Sequence, residues 1–443
     1  MSNYPATKEI LNEYPSTVKN KQHRKSARPV LKTLQQANLN VSNRLSGKTH
    51  KFGTSRCLMA KVMVMERKSK GLPVYDFGLG EAKGEVAEFI REAGKKAFDA
   101  QHTGYVDPAG IPELRKAILK WLNIEEHYSK EEVVVNVGAK AGLFNVFLAL
   151  SDPGDVILMD TAPWVSYRPM AYCCAATPVN VRPSRGTDNY LKITAQDLED
   201  AIKRHPNARL FLLNNPCNPT AQLYSAEEIE ELLQLCVKNR IFFVLDRLYW
   251  KTVFDGKNFP EPRIDQQTKP WLIQIDGFSK NWRSVGGLRV GWTIAPPDVA
   301  KAMVNIQSHI TSGTATTSQY AALEALSHEY DFEMRDDLQQ KRDLFQKYAR
   351  KIPYINIFPS PASFYSFWEI SKVFGMKTPN GIVLNNSDDV AEFLLRDYGV
   401  ATLSGSAFLH DGFLRLCFHI PKEEIEKGLQ ATRMAFESLE PAL

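Results

Sequence analysis

Six short runs, EVVVNVG, DVILMD, RLFLLNNP, IFFVLD, LIQIDGFSK and RVGWTIA, recur between residues 132 and 295. They are apolar at consecutive positions, with many β-branched and aromatic residues, so each predicts a strand buried on both faces. Segments of helical period, among them EFIREAGKKAF and IPELRKAILKWL, alternate with such runs. This alternation predicts an α/β fold with a mostly parallel central sheet flanked by helices. A long helical stretch from about Thr316 to Ile352 precedes SFYSFWEI, GVATLSG and FLRLCF, the pattern of a smaller C-terminal α/β domain. At 443 residues the chain exceeds one ordinary core. The expected division is an N-terminal extension at 1–50, a segment at 51–95 that joins the small domain, a large domain at 96–335 and a small domain at 336–443.

The net charge of +5 invites a nucleic-acid reading until its location is considered. Residues 1–56 hold eleven Lys and Arg against Glu9 and Glu13 alone, an excess of nine, which leaves the rest of the chain at −4. The basic excess belongs to a segment interrupted by Pro5, Pro15 and Pro29, expected to be a partly ordered arm. The mildly acidic body suits a metabolic enzyme and no nucleic-acid partner. No apolar run approaches the roughly 20 residues of a membrane span. The six cysteines show neither metal-ligand spacing nor a disulfide framework. The expectation is a cytoplasmic enzyme without a metal.

In open parallel sheets, ligands bind beyond the carboxyl ends of the strands. Polar residues cluster there: Gly138 after one run, Asn214 to Thr220 after another, then Asp246 and Lys280. VVVNVGAKAGLFNVFLAL reads strand, glycine turn, helix, so the amides of Ala139 and Lys140 face an anion. Ser279 and Arg289, flanking the lysine in GFSKNWRSVGGLRVGW, add a hydroxyl and a bidentate guanidinium. Trp164 in APWVSY is placed to stack on a ring. Asp246 ends an apolar run, where burial demands a cationic partner such as a protonated pyridine nitrogen. Asn218 and Tyr249 suit a phenolic oxygen on that ring. Singly, each has an ordinary structural reading: Lys280 a surface charge, Arg415 a surface ion pair, Trp164 a core residue. Together they meet the requirements of pyridoxal 5′-phosphate.

From about Phe52 onward the chain resembles a fold-type I aminotransferase of the branch that includes bacterial aspartate aminotransferases. The motifs GLGEA, TGYVDPAGIPELR, VGAKAGLFN, APWVSY, NNPCNPT, LDRLY, SKNWRSVGGLRVGW, SFY and FLRLCF stand in that family's order. The resemblance implies that Lys280 forms the Schiff base with the cofactor, Asp246 pairs with the pyridinium, Trp164 stacks, and Asn218 and Tyr249 meet the phenolic oxygen. It assigns the phosphate to Gly138, Ala139, Lys140, Ser279 and Arg289, with Tyr105 reaching the phosphate of a neighbouring subunit in a homodimer. It gives the substrate α-carboxylate to Arg415, assisted by the backbone at Gly80, with Asn218 beside it. It makes Lys140 the partner of a distal carboxylate. The implied reaction moves an amino group from a dicarboxylic amino acid to a 2-oxo acid such as 2-oxoglutarate, with Lys280 as nucleophile and base, aided by Asp246 and Tyr249. Departures from the family pattern fall at Ala82, Lys83 and Gly84 near the expected substrate entrance, at Ala221 in place of glycine, at Arg247 in place of an acid, and at Arg56 and Cys57. The same fold also serves pyridoxal-phosphate lyases, cyclases and oxidases. It serves DNA-binding regulators too, though no helix-turn-helix pattern stands at the N-terminus.

Overall fold

The computed structural model describes residues 45–53, 56–184 and 191–441, with residues 56–61 described by backbone alone. The chain divides into two units, 1–51 and 52–443. Of the first, the described residues end in a 3-10 turn, Thr49–Lys51. Residues 1–44 of the arm expected at 1–50, and the side chains of Arg56 and Cys57, lie outside the described residues.

Among the described residues, seven strands form the main sheet of the second unit: β1 (Val133–Val137), β2 (Val156–Met159), β3 (Thr177–Asn180), β4 (Ala208–Asn214), β5 (Phe242–Asp246), β6 (Leu272–Gly277) and β7 (Val290–Ile294). Their order is β1-β7-β6-β5-β4-β2-β3. Strands β2 to β6 run parallel, and β7 is antiparallel to both of its neighbours. The period of two along each strand explains the continuous apolar runs. Ile157, Met159, Leu210, Leu212, Val244 and Ile275 face one core, while Val156, Leu158, Phe211, Leu213, Phe243 and Leu245 face another. A fully buried ring such as Phe211 contributes roughly 1.5–3 kcal/mol relative to exposure. Six of the seven strands match the runs read from the sequence. The seventh, β3, is an edge strand of sequence TPVN, too short and polar to register as one.

The helical stretch after Thr316 is two helices, Thr316–Ser327 and Glu333–Ala349. Beyond it lies a four-stranded antiparallel sheet of β8 (Asn356–Ile357), β9 (Tyr365–Glu369), β10 (Leu403–Ser404) and β11 (Phe413–Cys417), in the order β10-β11-β9-β8. Its core includes Phe77, Phe345, Phe364, Trp368, Leu414, Leu416 and Phe436. The early segment is drawn in from both sides. Tyr75–Asp76 pairs in parallel with Val400–Ala401, and the Phe77 carbonyl accepts the Cys417 amide at 2.7 Å. The helix Glu88–Asp99 packs instead on Thr316–Ser327. The loop between them, through Leu79 and Gly80, crosses the carboxyl ends of the main sheet. Among the described residues no helix is long and apolar enough to cross a membrane.

Candidate active site

A cavity of about 400 Å3 opens at the carboxyl ends of β4, β5 and β6. Register places Asn214 beside Asp246, so two adjacent strands deliver their terminal residues side by side, and β6 continues past this line into the turn that carries Ser279 and Lys280. Eleven residues expected in the site line it: Gly80, Ala139, Lys140, Trp164, Asn218, Asp246, Tyr249, Ser279, Lys280, Arg289 and Arg415. Gly138 lies just behind the lining and Tyr105 lies elsewhere.

The anion end is built by glycines. Gly138 has φ +72°, and a Cβ there would collide with the Arg289 guanidinium. A Cβ at Gly291 would strike the Ala139 amide. These two positions let the helix Gly138–Leu150 start against β7 with its N-terminus at the cavity and no side-chain cap. Arg289 donates to the Gly286 carbonyl at 2.8 Å, which aims its plane over the turn. Both Arg289 and Lys140 are exposed in the single chain, so this end opens to solvent. The Lys140 ammonium lies 4.7 Å from the centroid of Trp164.

The opposite end is closed. Asp246 is 4% exposed, and burial raises its carboxyl to about 6. Tyr167 donates to it at 2.6 Å, and the Leu248 amide donates at 3.2 Å. Asn214 donates to the Asp246 carbonyl at 3.0 Å and accepts the Asn218 amide at 2.7 Å. One asparagine thereby fixes two site residues.

Lys280 sits on a four-residue helix, Phe278–Asn281, directly after β6. Burial lowers its amine to about 8. It donates to the Gly80 carbonyl at 2.5 Å, so the contact at Gly80 is its carbonyl. Burial also brings Lys251 to about 8, yet that ammonium is boxed by Trp121, Trp250 and Tyr330 and is absent from the cavity lining. Among the cavity's own residues, Lys280 therefore combines a lowered basicity with a position at the sheet's carboxyl edge.

Arg415 is 2% exposed on β11. It donates to Asn218 Oδ1 at 3.1 Å and to the Gly78 carbonyl at 2.6 Å. Its guanidinium carbon lies 4.5 Å from the Tyr365 ring centroid and 5.4 Å from that of Phe408. Its buried Nε has no hydrogen-bond partner among the described residues. A buried cationic donor left open is costly, and a ligand carboxylate would satisfy it. The Asn218 amide nitrogen stands 3.5 Å from the Tyr249 hydroxyl.

Tyr105 is 95% exposed, so nothing among the described residues covers it. Of the departures, Ala82 and Gly84 do not line the cavity; their carbonyls accept the Ser284 amide and hydroxyl, each at 2.6 Å. Ala221 is buried with φ +60°. Arg247 points away from the cavity, held in a bidentate pair by Glu261 at 2.6 Å per contact and by Gln274 at 2.8 Å. Sequence reading gave no role to Tyr167, Asn214 or Tyr365, although all three lie inside quoted motifs or runs.

The fold and this site define an aminotransferase, and comparison with known proteins gives the family. Residues 73–431 match the family described as aminotransferase class I and II, and the chain belongs to it. The probable aspartate/prephenate aminotransferase of Aquifex aeolicus is 31% identical over 402 residues, covering 89% of this chain and 99% of the relative. The aspartate aminotransferase of Rhizobium meliloti is 30% identical over 413 residues, covering 92% and 98%. A crystal structure of the aspartate aminotransferase from Rhizobium meliloti superposes with a TM-score of 0.84 at 30% identity, covering 89% of this chain and 99% of that one. The Thermus thermophilus aspartate aminotransferase with maleate gives 0.80 at 26% identity, covering 88% and 99%. The chain is a transaminase of fold type I, on the aspartate branch.

Proposed function

We propose that this enzyme uses pyridoxal 5′-phosphate to move the amino group of a dicarboxylic L-amino acid, aspartate or glutamate, to a 2-oxo acid such as 2-oxoglutarate. The observation that carries the reading is the meeting, in one cavity, of a low-basicity lysine, a buried carboxylate and an arginine with an open donor. The residues fit the cofactor in chemistry and order. The amides of Ala139 and Lys140 with Ser279 and Arg289 would hold the phosphate, Trp164 would cover the ring, Asn218 and Tyr249 would meet its phenolic oxygen, and Asp246 its nitrogen.

When bound, the cofactor supplies an electron-withdrawing ring that accepts the electron pair released at the substrate Cα. Asp246 keeps that sink cationic, and its carboxylate, raised to about 6, is ionised at neutral pH. Lys280 would hold the cofactor through its side-chain amine. Its Nζ would also take the substrate Cα proton and later return a proton, base and acid in turn. Near pH 8 an amine of this basicity populates both forms. Arg415 selects the bond to be broken, because two parallel bonds to the α-carboxylate fix the angle of Cα as well as holding it.

Preference for a distal carboxylate is supported by Lys140, exposed at the cavity's edge, and by relatives named for aspartate. We place the second acid group of the substrate there. The enzyme works as a homodimer in this reading, with the exposed Tyr105 closing the open anion end of the partner. The division near residue 336 into a large and a small domain belongs to the same reading, supported by the separate sheets. A cytoplasmic setting is supported by Cys217, Cys236 and Cys417, buried thiols outside any disulfide among the described residues. The test is a donor panel against 2-oxoglutarate, read as the cofactor's spectral change in single half-reactions. Aspartate and glutamate should react at least about 10-fold faster than leucine or phenylalanine, since a hydrogen bond to a charged group is worth about 1.5–3 kcal/mol. Equal rates across the panel would refute the dicarboxylate assignment, and ammonia or peroxide release without an oxo acid would refute transamination.

A further inference from the structure

Tyr365 stands where the two sheets meet in the cavity, and no step above uses it. It opens β9 opposite Cys417 on β11, which makes it the diagonal neighbour of Arg415 across that pair. Its ring face lies under the guanidinium, 4.5 Å from centroid to carbon. Its hydroxyl lies 3.0 Å from that of Tyr249, with the two rings edge to face at 75°. The loop above accommodates it at one position: a Cβ at Gly80 would collide with its hydroxyl. The substrate-binding arginine and the tyrosine of the cofactor's phenolic oxygen therefore share one neighbour.

We propose that Tyr365 is a positioning residue whose hydroxyl donates to Tyr249, aiming the Tyr249 proton into the cavity, while its ring sets the plane of Arg415. The inference rests on the reading of Tyr249 as the partner of the cofactor's phenolic oxygen. A phenol has one proton to give. Asn218 Nδ2 approaches Tyr249 as a donor, so Tyr249 already accepts on one side. An anionic oxygen in the cavity is the stronger acceptor for its proton. Tyr365 then completes the Tyr249 oxygen, and a donor that itself accepts is polarised into a better donor.

The experiment uses full-length protein loaded with pyridoxal 5′-phosphate, comparing wild type, Tyr365→Phe and Tyr365→Leu. Two readouts are taken: the pH titration of the bound cofactor's visible absorbance, and the separate kcat and KM for the amino donor. Weakening the donor to the phenolic oxygen makes its anionic form less favourable, so the proton is kept to higher pH. Tyr365→Phe should move the titration midpoint up by about 0.5–1 pH unit and lower kcat, with KM within about 2-fold. Tyr365→Leu should show the same spectral shift and raise KM about 3- to 30-fold, since the ring beneath the guanidinium is lost. A Phe variant that titrates with wild type, or one that raises KM with no spectral shift, overturns the proposal. Wild type that acquires no visible absorbance overturns the cofactor reading itself, which separates the two failures.

Discussion

Asp246 and Arg415 are both nearly buried, at 4% and 2% exposure, and face the same cavity from opposite sides, yet they are held differently. Asp246 ends a central strand of the parallel sheet, between Asn214 and Ile275 in register, and its carboxylate takes one phenol and one amide. Arg415 lies in a small antiparallel sheet, and its hydrogen bonds go outside that sheet, to Asn218 and to the Gly78 carbonyl. One donor of Arg415 has no partner among the described residues, whereas each carboxylate oxygen of Asp246 takes a protein donor. The comparison teaches a division of labour. The wall fixed by sheet register suits a resident group, and the wall assembled across segments suits a ligand that comes and goes.

The largest break in that comparison is Arg415→Ala. It should lower kcat/KM by about 10^2–10^4, the cost of leaving a buried charge pair half made, while the bound cofactor's absorbance stays as in wild type. Arg415→Lys should recover only part, because an ammonium restores charge without the planar fork. Equal loss of cofactor binding in both variants would mean that the two walls are not separate in function.

Asp246 gives the next effect, in the cofactor-free protein. Burial raises its carboxyl from 3.8 to about 6, so the folded state holds a proton that the unfolded chain has released. The group therefore costs stability as pH climbs from below 4 through 6, and Asp246→Asn removes that cost. Denaturant titrations at pH 4 and pH 7 should find the Asn variant gaining about 2–3 kcal/mol on wild type between the two. A constant difference would place Asp246 in a more polar setting than its burial implies.

Tyr167→Phe sharpens the same wall. Losing a donor to the carboxylate pushes Asp246 higher still, so cofactor affinity should weaken below neutrality, about 10-fold at pH 6, and recover toward pH 8. A uniform loss at all pH values would point to packing instead. The smallest effect is expected at Ala221, whose φ of +60° strains an L residue. Ala221→Gly should raise stability by about 0.5–1 kcal/mol, the strain relieved less the added freedom of the unfolded chain, with turnover unchanged in rank among donors.

The same division governs what was legible beforehand. Strand ends that follow continuous apolar runs announce themselves, and so Asp246, Lys280, Asn218 and the Gly138 turn were placed from residue order. Arg415 came from resemblance, since nothing local distinguishes an arginine in FLRLCF. Tyr167 and Tyr365 went without roles because their meaning lies in partners 79 and 116 residues away, Asp246 and Tyr249, which no periodicity reports. Strand β3 escaped because an edge strand tolerates the proline and asparagine of TPVN. Arg247, an apparent liability in LDRLY, is neutralised by Glu261, fourteen residues onward.

The most direct measurement is borohydride reduction of the full-length protein mixed with pyridoxal 5′-phosphate, followed by mass mapping of the modified peptide. The expected result is one phosphopyridoxyl group per chain, on Lys280, abolished in Lys280→Ala. A label on Lys140 or on the equally low-basicity Lys251, or no label at all, would contradict the assignment of Lys280 as the reactive amine.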